Sequence, residues 1–306
     1  MACKVVSIPC DWGAGVPGGA AGVDGWHYLG LAYKHLAWLE ATHYRLTPSL
    51  QEVVWTAPHR HLFAKRLEYW DTFARELEAH LPALWNDSDR YLFLTGDHSW
   101  NAKILSFLRQ VTSHLIVVWI DAHADLHTPG TTPSGHIHGM PLAMLTGLNT
   151  ERLNPTPPET WTLWENHLKP CIAPENLFLV GLRSYEPAEG QIIQKYLSQT
   201  TFTSETLHKQ GVTPVIEAIR ARLQPDTSLY ISFDVDVWDP SFARGTGSPA
   251  PGGLSIAAIR TLLQELLQWP QTRFVEVTEI NPLLDQGHET LLYAYGTIRP
   301  YLERPE

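Results

Sequence analysis

The sequence predicts an α/β fold, a mainly parallel sheet covered by helices. Apolar, β-branched runs alternate along the chain with segments of helical pattern. Residues that carry chemistry gather where four of those runs end, and open α/β sheets bind ligands outside the carboxyl ends of their strands. No linker divides the chain, so residues 1–306 are expected to form one domain with a large core, consistent with 44% hydrophobic and only 18% charged residues.

The strand candidates are KVVSIP (Lys4 to Pro9), YLFLTG (Tyr91 to Gly96), LIVVWI (Leu115 to Ile120), LFLVGL (Leu177 to Leu182), SLYISFDVD (Ser228 to Asp236) and RFVEVTEI (Arg273 to Ile280). Helices lie between them. Thr213 is read as the cap of a helix with Pro214 in its first position and Ile216, Ile219 and Leu223 on one face; Ser255 is read as the cap of IAAIRTLLQELL. Five prolines between Asn149 and Asn176 predict an irregular excursion. No internal repeat or low-complexity tract is present.

Composition excludes several classes. Three cysteines without CxxC spacing (Cys3, Cys10, Cys171) indicate neither a disulfide framework nor a thiolate zinc site, so any metal must use oxygen and nitrogen ligands. A net charge of -10 argues against a nucleic-acid surface. No apolar run approaches the roughly 20 residues that span a bilayer, and Pro9 and Asp11 interrupt MACKVVSIPCDW before a secretory core could develop, so no membrane association and a cytoplasmic location are expected.

The four run ends carry Asp97 and His98; Asp121, His123, Asp125 and His127; Asp234 and Asp236; and Glu279. Along an ideal strand, side chains at i and i+4 lie about 13 Å apart at about 3.3 Å per residue. Asp121, His123 and Asp125 can therefore serve one compact centre only if the chain leaves extended geometry around Ala122 to Ala124. Asp234 and Asp236, about 6.6 Å apart along a strand, can reach two metals about 3.5 to 4 Å apart. The candidate ligands are His98, Asp121, His123, Asp125, Asp234 and Asp236. Four carboxylates and two imidazoles match two divalent cations in charge, with Mn²⁺ favoured by the hard donors and Ni²⁺, Co²⁺ or Fe²⁺ admitted by the imidazoles. Two cations sharing a water bring its pKa toward neutrality, which suits hydrolysis.

The chain resembles the ureohydrolase family, which comprises arginases, agmatinases, formiminoglutamases and related guanidino-acid hydrolases. The resemblance rests on IPCDWGAG (Ile8 to Gly15), GDHS (Gly96 to Ser99), DAHADLHTP (Asp121 to Pro129), SGHIHGMP (Ser134 to Pro141), GLRSYEPAE (Gly181 to Glu189), SFDVDVWDPSFARGTGSPAPGG (Ser232 to Gly253) and EINP (Glu279 to Pro282). It implies a three-layer α-β-α fold with about eight strands, a binuclear Mn²⁺ centre on the six ligands above, and a homo-oligomer, trimeric or hexameric. It further implies that Asp125 accepts a hydrogen bond from the attacking water, that Glu279 holds the substrate guanidinium, and that His138 carries protons to the leaving amine. A carboxylate suits a planar fork of donors, and an imidazole titrates near working pH.

The motifs sit closest to arginases, but positions matched to the substrate tail depart. His127 and His136 stand where arginases carry Asn, Glu186 where an Asp reads the α-ammonium of arginine, and Ser248 where Thr is usual; Thr132 and Ser134 are retained. The departures at 127, 136 and 186 place larger side chains at the outer end of the pocket. The expected substrate is therefore arginine or a smaller guanidino compound, such as guanidine itself or a short guanidino acid, with His127 and His136 as alternative donors to a carboxylate. Agmatine or guanidinobutyrate hydrolysis, formimidoylglutamase chemistry releasing formamide, a one-metal deacetylase and a catalytically silent relative are the competing readings. GSPAPGG (Gly247 to Gly253) lacks a phosphate-loop pattern and reads as a turn. Trp100, Trp119 and Trp238 read as packing residues, with pocket lining as the alternative for Trp238.

Overall fold

The structure is a computed structural model that describes residues 3–49 and 54–304. Its described residues form one eight-stranded sheet of β1 (Cys3–Ile8), β2 (Thr42–Arg45), β3 (Arg90–Thr95), β4 (His114–Ile120), β5 (Leu177–Leu182), β6 (Thr201–Thr203), β7 (Thr227–Asp234) and β8 (Thr272–Thr278). The order is β2-β1-β3-β8-β7-β4-β5-β6 and every pairing is parallel.

Strand alternation divides the core into two layers. Val5, Leu92, Ile116, Val118 and Ile120 face one side, with Trp26, Ile219, Ile259 and Ile298 from the helices 19–32, 213–220, 256–266 and 289–302. Val6, Phe93, Leu115, Val117 and Trp119 face the other, with Trp70, Ile104, Leu145 and Trp164 from the helices 67–84, 101–111, 141–146 and 158–165. Successive strand residues point to opposite faces, and both faces are covered, so the central strands read as continuous apolar runs.

All six predicted strands are present. The edge strands β2 and β6 were not anticipated because THYR and TFT are short and only partly buried. The strand predicted to run from Ser228 to Asp236 stops at Asp234, and Val235–Val237 forms a 3-10 turn. Thr213 does not cap its helix: Val212 is the cap, and Thr213 occupies the first helical position, so Pro214 falls one place later in the first turn, where it is still tolerated. Ser255 does cap, its Oγ accepting the Ala258 N–H at 3.2 Å. The excursion between Asn149 and Asn176 is not wholly irregular, because Pro158–Glu165 is a helix with proline in its first turn.

Candidate metal centre

The strands whose ends carry the predicted site residues, β3, β8, β7 and β4, are consecutive neighbours in the sheet. A parallel sheet places their carboxyl ends on one edge, so residues from positions 98 to 279 meet there.

Each segment leaves strand geometry in its own way. Beyond β4, the N–H groups of Arg183 and Ser184 both donate to Ala122 O at 2.9 Å, and Asp125 adopts a φ of 51°. This is the departure that the ligand spacing requires. Glu279, immediately after β8, has a φ of 62°. Left-handed backbone is uncommon for residues other than glycine and tends to gather at functional sites. After β7, Asp236 N donates to Asp234 Oδ1 at 2.8 Å, and the 3-10 turn brings both carboxylates back to the same cavity. Arg183 fastens that turn, its Nη2 donating to Asp236 O at 2.6 Å and Ala250 O at 2.8 Å.

His98 Nδ1 lies 3.0 Å from Asp121 Oδ2, 3.0 Å from Asp125 Oδ2 and 3.3 Å from Asp234 Oδ2. His123 Nδ1 lies 2.9 Å from Asp236 Oδ2 and 3.5 Å from Asp121 Oδ1. Asp121 thus turns one oxygen to each group, as a carboxylate shared by two adjacent cation positions would. Two sets, His98 with Asp121 and Asp125 and His123 with Asp121 and Asp236, each offer ligand atoms within 4.8 Å of one another.

The hydrogen-bond network fits this donor set to cations. Ser232 Oγ donates to Glu276 Oε2 at 2.6 Å, so it accepts from His98 Nε2 at 2.7 Å. The proton of neutral His98 therefore sits on Nε2, and the Nδ1 lone pair faces carboxylates. His98 Nδ1 and Asp125 Oδ2 are buried and have no hydrogen-bond partner among the described residues. A lone pair aimed at anionic oxygen is repulsive unless a cation or a proton lies between them. In the absence of cations the site attracts protons. Burial opposes a charged His98, but Asp121, Asp125 and Asp234 outweigh it and raise its pKa well above the ordinary value. Burial likewise opposes a charged His123, and Asp236 and Asp121 outweigh it. Burial, followed by the neighbouring carboxylates, raises Asp234 and Asp236 and pushes Asp125 up to about 6.

Above this centre is a cavity of about 230 Å³. His127, Thr132, Ser134, His136, His138, Glu186, Ser248 and Glu279 all line it, so every residue predicted to meet substrate is brought together. His138 Nδ1 lies 2.9 Å from Glu279 Oε1. Burial pulls the His138 imidazole down, but Glu279, assisted by Asp97 and Asp125, outweighs it and raises the group above the ordinary value. His138 N donates to Gly13 O at 3.1 Å, and Gly13 N donates to Asp97 Oδ2 at 2.9 Å, which packs the 11–15 loop against the site. A Cβ at Gly13 would meet Ser99 Oγ at 2.5 Å, so only glycine allows this approach.

The model of the Arginase family matches residues 2–302. The chain belongs to the arginase family. An arginase of Agrobacterium fabrum is 30% identical to it over 94% of this chain and 86% of that protein. The native arginase of Bacillus caldovelox superposes with a TM-score of 0.83 at 26% identity, covering 99% of each chain. A formimidoylglutamase of Bacillus subtilis superposes with a TM-score of 0.70 at 18% identity over 99% of this chain and 87% of that one, a likeness of fold.

Several residues around this arginase-family centre escaped the sequence reading. Glu276 is fully buried in β8 and accepts from Ser232, Asn101 and Thr95. Its signal was present, since it is the one carboxylate inside the apolar run RFVEVT, but its partners lie far away in sequence. Arg183 and Glu189 belong to the quoted GLRSYEPAE motif without having been given roles. Trp119 stacks on His98 with ring centroids 3.9 Å apart, so it packs against a proposed ligand. Trp238 does not line the cavity; it is buried in the core, edge-on to Phe233.

Proposed function

We propose that this arginase-family protein hydrolyses the bond between the guanidino carbon and the substituted nitrogen of a small guanidino compound, releasing urea and an amine. The observation that carries this reading is the convergence of Asp121 and the unpartnered Nδ1 of His98 with Asp125, Asp234, His123 and Asp236 beneath a cavity that also presents the His138–Glu279 pair. His98, Asp121, Asp125 and Asp234 would hold one divalent cation, and His123, Asp121, Asp234 and Asp236 the other. Such a pair, Mn²⁺ by donor hardness, supplies a water acidic enough to attack at neutral pH.

The chain's own residues then divide the work. Glu279 Oε1 is occupied by the His98 N–H at 2.9 Å and by His138, while Oε2 makes no hydrogen bond among the described residues and is left for the guanidinium fork. Burial works against ionisation of Glu279, but His138 and the His98 N–H outweigh it and keep the carboxylate anionic. Asp125 can accept a hydrogen bond from the attacking water. As the water oxygen bonds to the guanidinium carbon, having given up one proton to solvent, its second proton passes through Asp125 to the substituted nitrogen. The bond from carbon to that nitrogen breaks with the electron pair going to nitrogen, and His138 delivers a further proton to the departing amine. A cavity of about 230 Å³, below the roughly 300–1,000 Å³ that holds drug-sized ligands, suits a small guanidino compound.

Metal analysis of purified protein, together with urea release from arginine, agmatine, guanidinobutyrate, guanidinoacetate and guanidine, tests the proposal. The expected result is two metals per chain and urea from at least one of these compounds. One metal per chain, or formamide released from formiminoglutamate with no urea from the panel, would sink it.

A further inference from the structure

The outer end of the cavity has two walls of opposite character: one suits a carboxylate, and the other has its carboxylate already engaged and so is poorly suited to an α-ammonium. On one wall, Glu186 is the carboxylate placed to read an α-ammonium, but it is already engaged. His127 Nε2 lies 2.7 Å from Glu186 Oε2 and 3.2 Å from Glu189 Oε2, while its Nδ1 lies 3.2 Å from Thr131 Oγ1. The imidazole thus competes with a substrate ammonium for Glu186. Glu186 and Glu189 are locked from behind as well, because they form the capping box of the helix Pro187–Ile192.

The opposite wall is basic and rich in unspent donors. The 59–66 segment, HRHLFAKR, packs against the 132–136 loop, with Lys65 N donating to Gly135 O at 2.7 Å. Lys65 Nζ stands 3.5 Å from His136 Nε2 and has no carboxylate partner among the described residues. Because the ammonium can only donate, Nε2 is the acceptor and the proton of neutral His136 sits on Nδ1. That nitrogen has no partner among the described residues, and its ring edge lies against Gly15, where a Cβ would come within 2.8 Å. Burial, followed by His138, Lys65, Arg66 and His59, pushes His136 down to about 3, so it is a neutral donor in a positive field. Thr132 Oγ1 and Ser134 Oγ accept the N–H groups of Gly135 (2.9 Å) and His136 (3.2 Å), leaving both hydroxyl hydrogens to be given away. Arg66 is otherwise committed, to Trp12 O and Ala14 O.

We infer that the substrate is a short ω-guanidino carboxylate without an α-ammonium, its carboxylate received by His136, Ser134 and Thr132 with Lys65 behind them, and that His127 excludes arginine by occupying Glu186. The inference rests on the guanidino-hydrolase reading above. Lys65 acts through His136 and by its charge, so it is a specificity-determining residue and not a catalytic one.

The test compares kcat/KM for urea release by metal-loaded protein from 4-guanidinobutyrate, 3-guanidinopropionate, arginine and butylguanidine, which has the chain but no carboxylate. The better guanidino acid is expected to exceed arginine and butylguanidine by at least tenfold. Lys65→Met should raise KM for that acid about tenfold with kcat little changed and leave butylguanidine unaffected, whereas Lys65→Arg should retain most of the preference. His127→Asn should improve arginine relative to the guanidino acid by at least tenfold. Butylguanidine or arginine turned over as well as the acids by the wild type, or a Lys65→Met defect shared by all substrates, would overturn the inference and leave the hydrolase reading standing. No urea from any of the four would overturn both.

Discussion

His138 Nδ1 and Glu279 Oε1 are 2.9 Å apart, and the same oxygen accepts the backbone N–H of His98 at 2.9 Å. One carboxylate thus ties the proposed proton carrier to the backbone of a proposed ligand. Replacing His138 by Asn is expected to lower kcat by about 10²–10⁴-fold, the usual contribution of a positioned acid or base, without changing metal content. In Glu279→Gln the carboxylate that raises His138 is gone while burial remains, so the imidazole should lose its proton at lower pH than in the wild type. An imidazole NMR titration reads this directly, and an unchanged or higher pKa counts against the assignment.

Glu276 sets which nitrogen of His98 faces the cavity, through Ser232. Glu276→Ala frees Ser232 to reorient and leaves donors from Asn101 and Thr95 unpaired. A loss of about 10–100-fold in metal affinity is expected, as for other residues that orient a ligating histidine. Competition with a chelator of known affinity measures it, and unchanged affinity would remove Glu276 from the centre.

Protons should leave when cations enter. Without metal, the neighbouring carboxylates overcome burial and raise His98 and His123 well above the ordinary histidine value, so both are largely charged at pH 7. Ligation requires the neutral form. Calorimetric titration with Mn²⁺ in two buffers of different ionisation enthalpy should therefore show net proton release. Identical heats in both buffers would contradict it.

Acid should weaken the fold through His167. Burial and the buried Lys103, whose Nζ donates to His167 Nδ1 at 2.6 Å, push this imidazole down to about 4, while Nε2 donates to Asp71 at 2.7 Å. The unfolded chain therefore takes up this proton first, at about pH 6.5, and the folded chain only near 4. Stability from this group is complete above pH 6.5 and declines as pH falls toward 4, by on the order of 3 kcal/mol. Urea unfolding at pH 7, 5.5 and 4 should show a smaller decline in His167→Gln than in the wild type; equal declines would assign the acid sensitivity elsewhere.

Local pattern alone determined much of this molecule. Uninterrupted apolar runs require strands covered on both sides, and turn-forming polar residues at their ends give the class of fold and the six candidate ligands. The spacing of Asp121, His123 and Asp125 even required the break in extended geometry that the positive φ of Asp125 supplies. Only the tertiary structure decided which ends adjoin and which side chains become partners. Sheet order made β3, β8, β7 and β4 neighbours, placed Glu276 beneath His98, set His127 against Glu186, and brought Lys65 behind His136. These pairs are 59 to 178 residues apart in the chain. Strand and turn preferences act over a few residues, whereas the partner of a buried polar group is fixed by close packing and by the cost of leaving it unpaired, which exist only once the chain has folded.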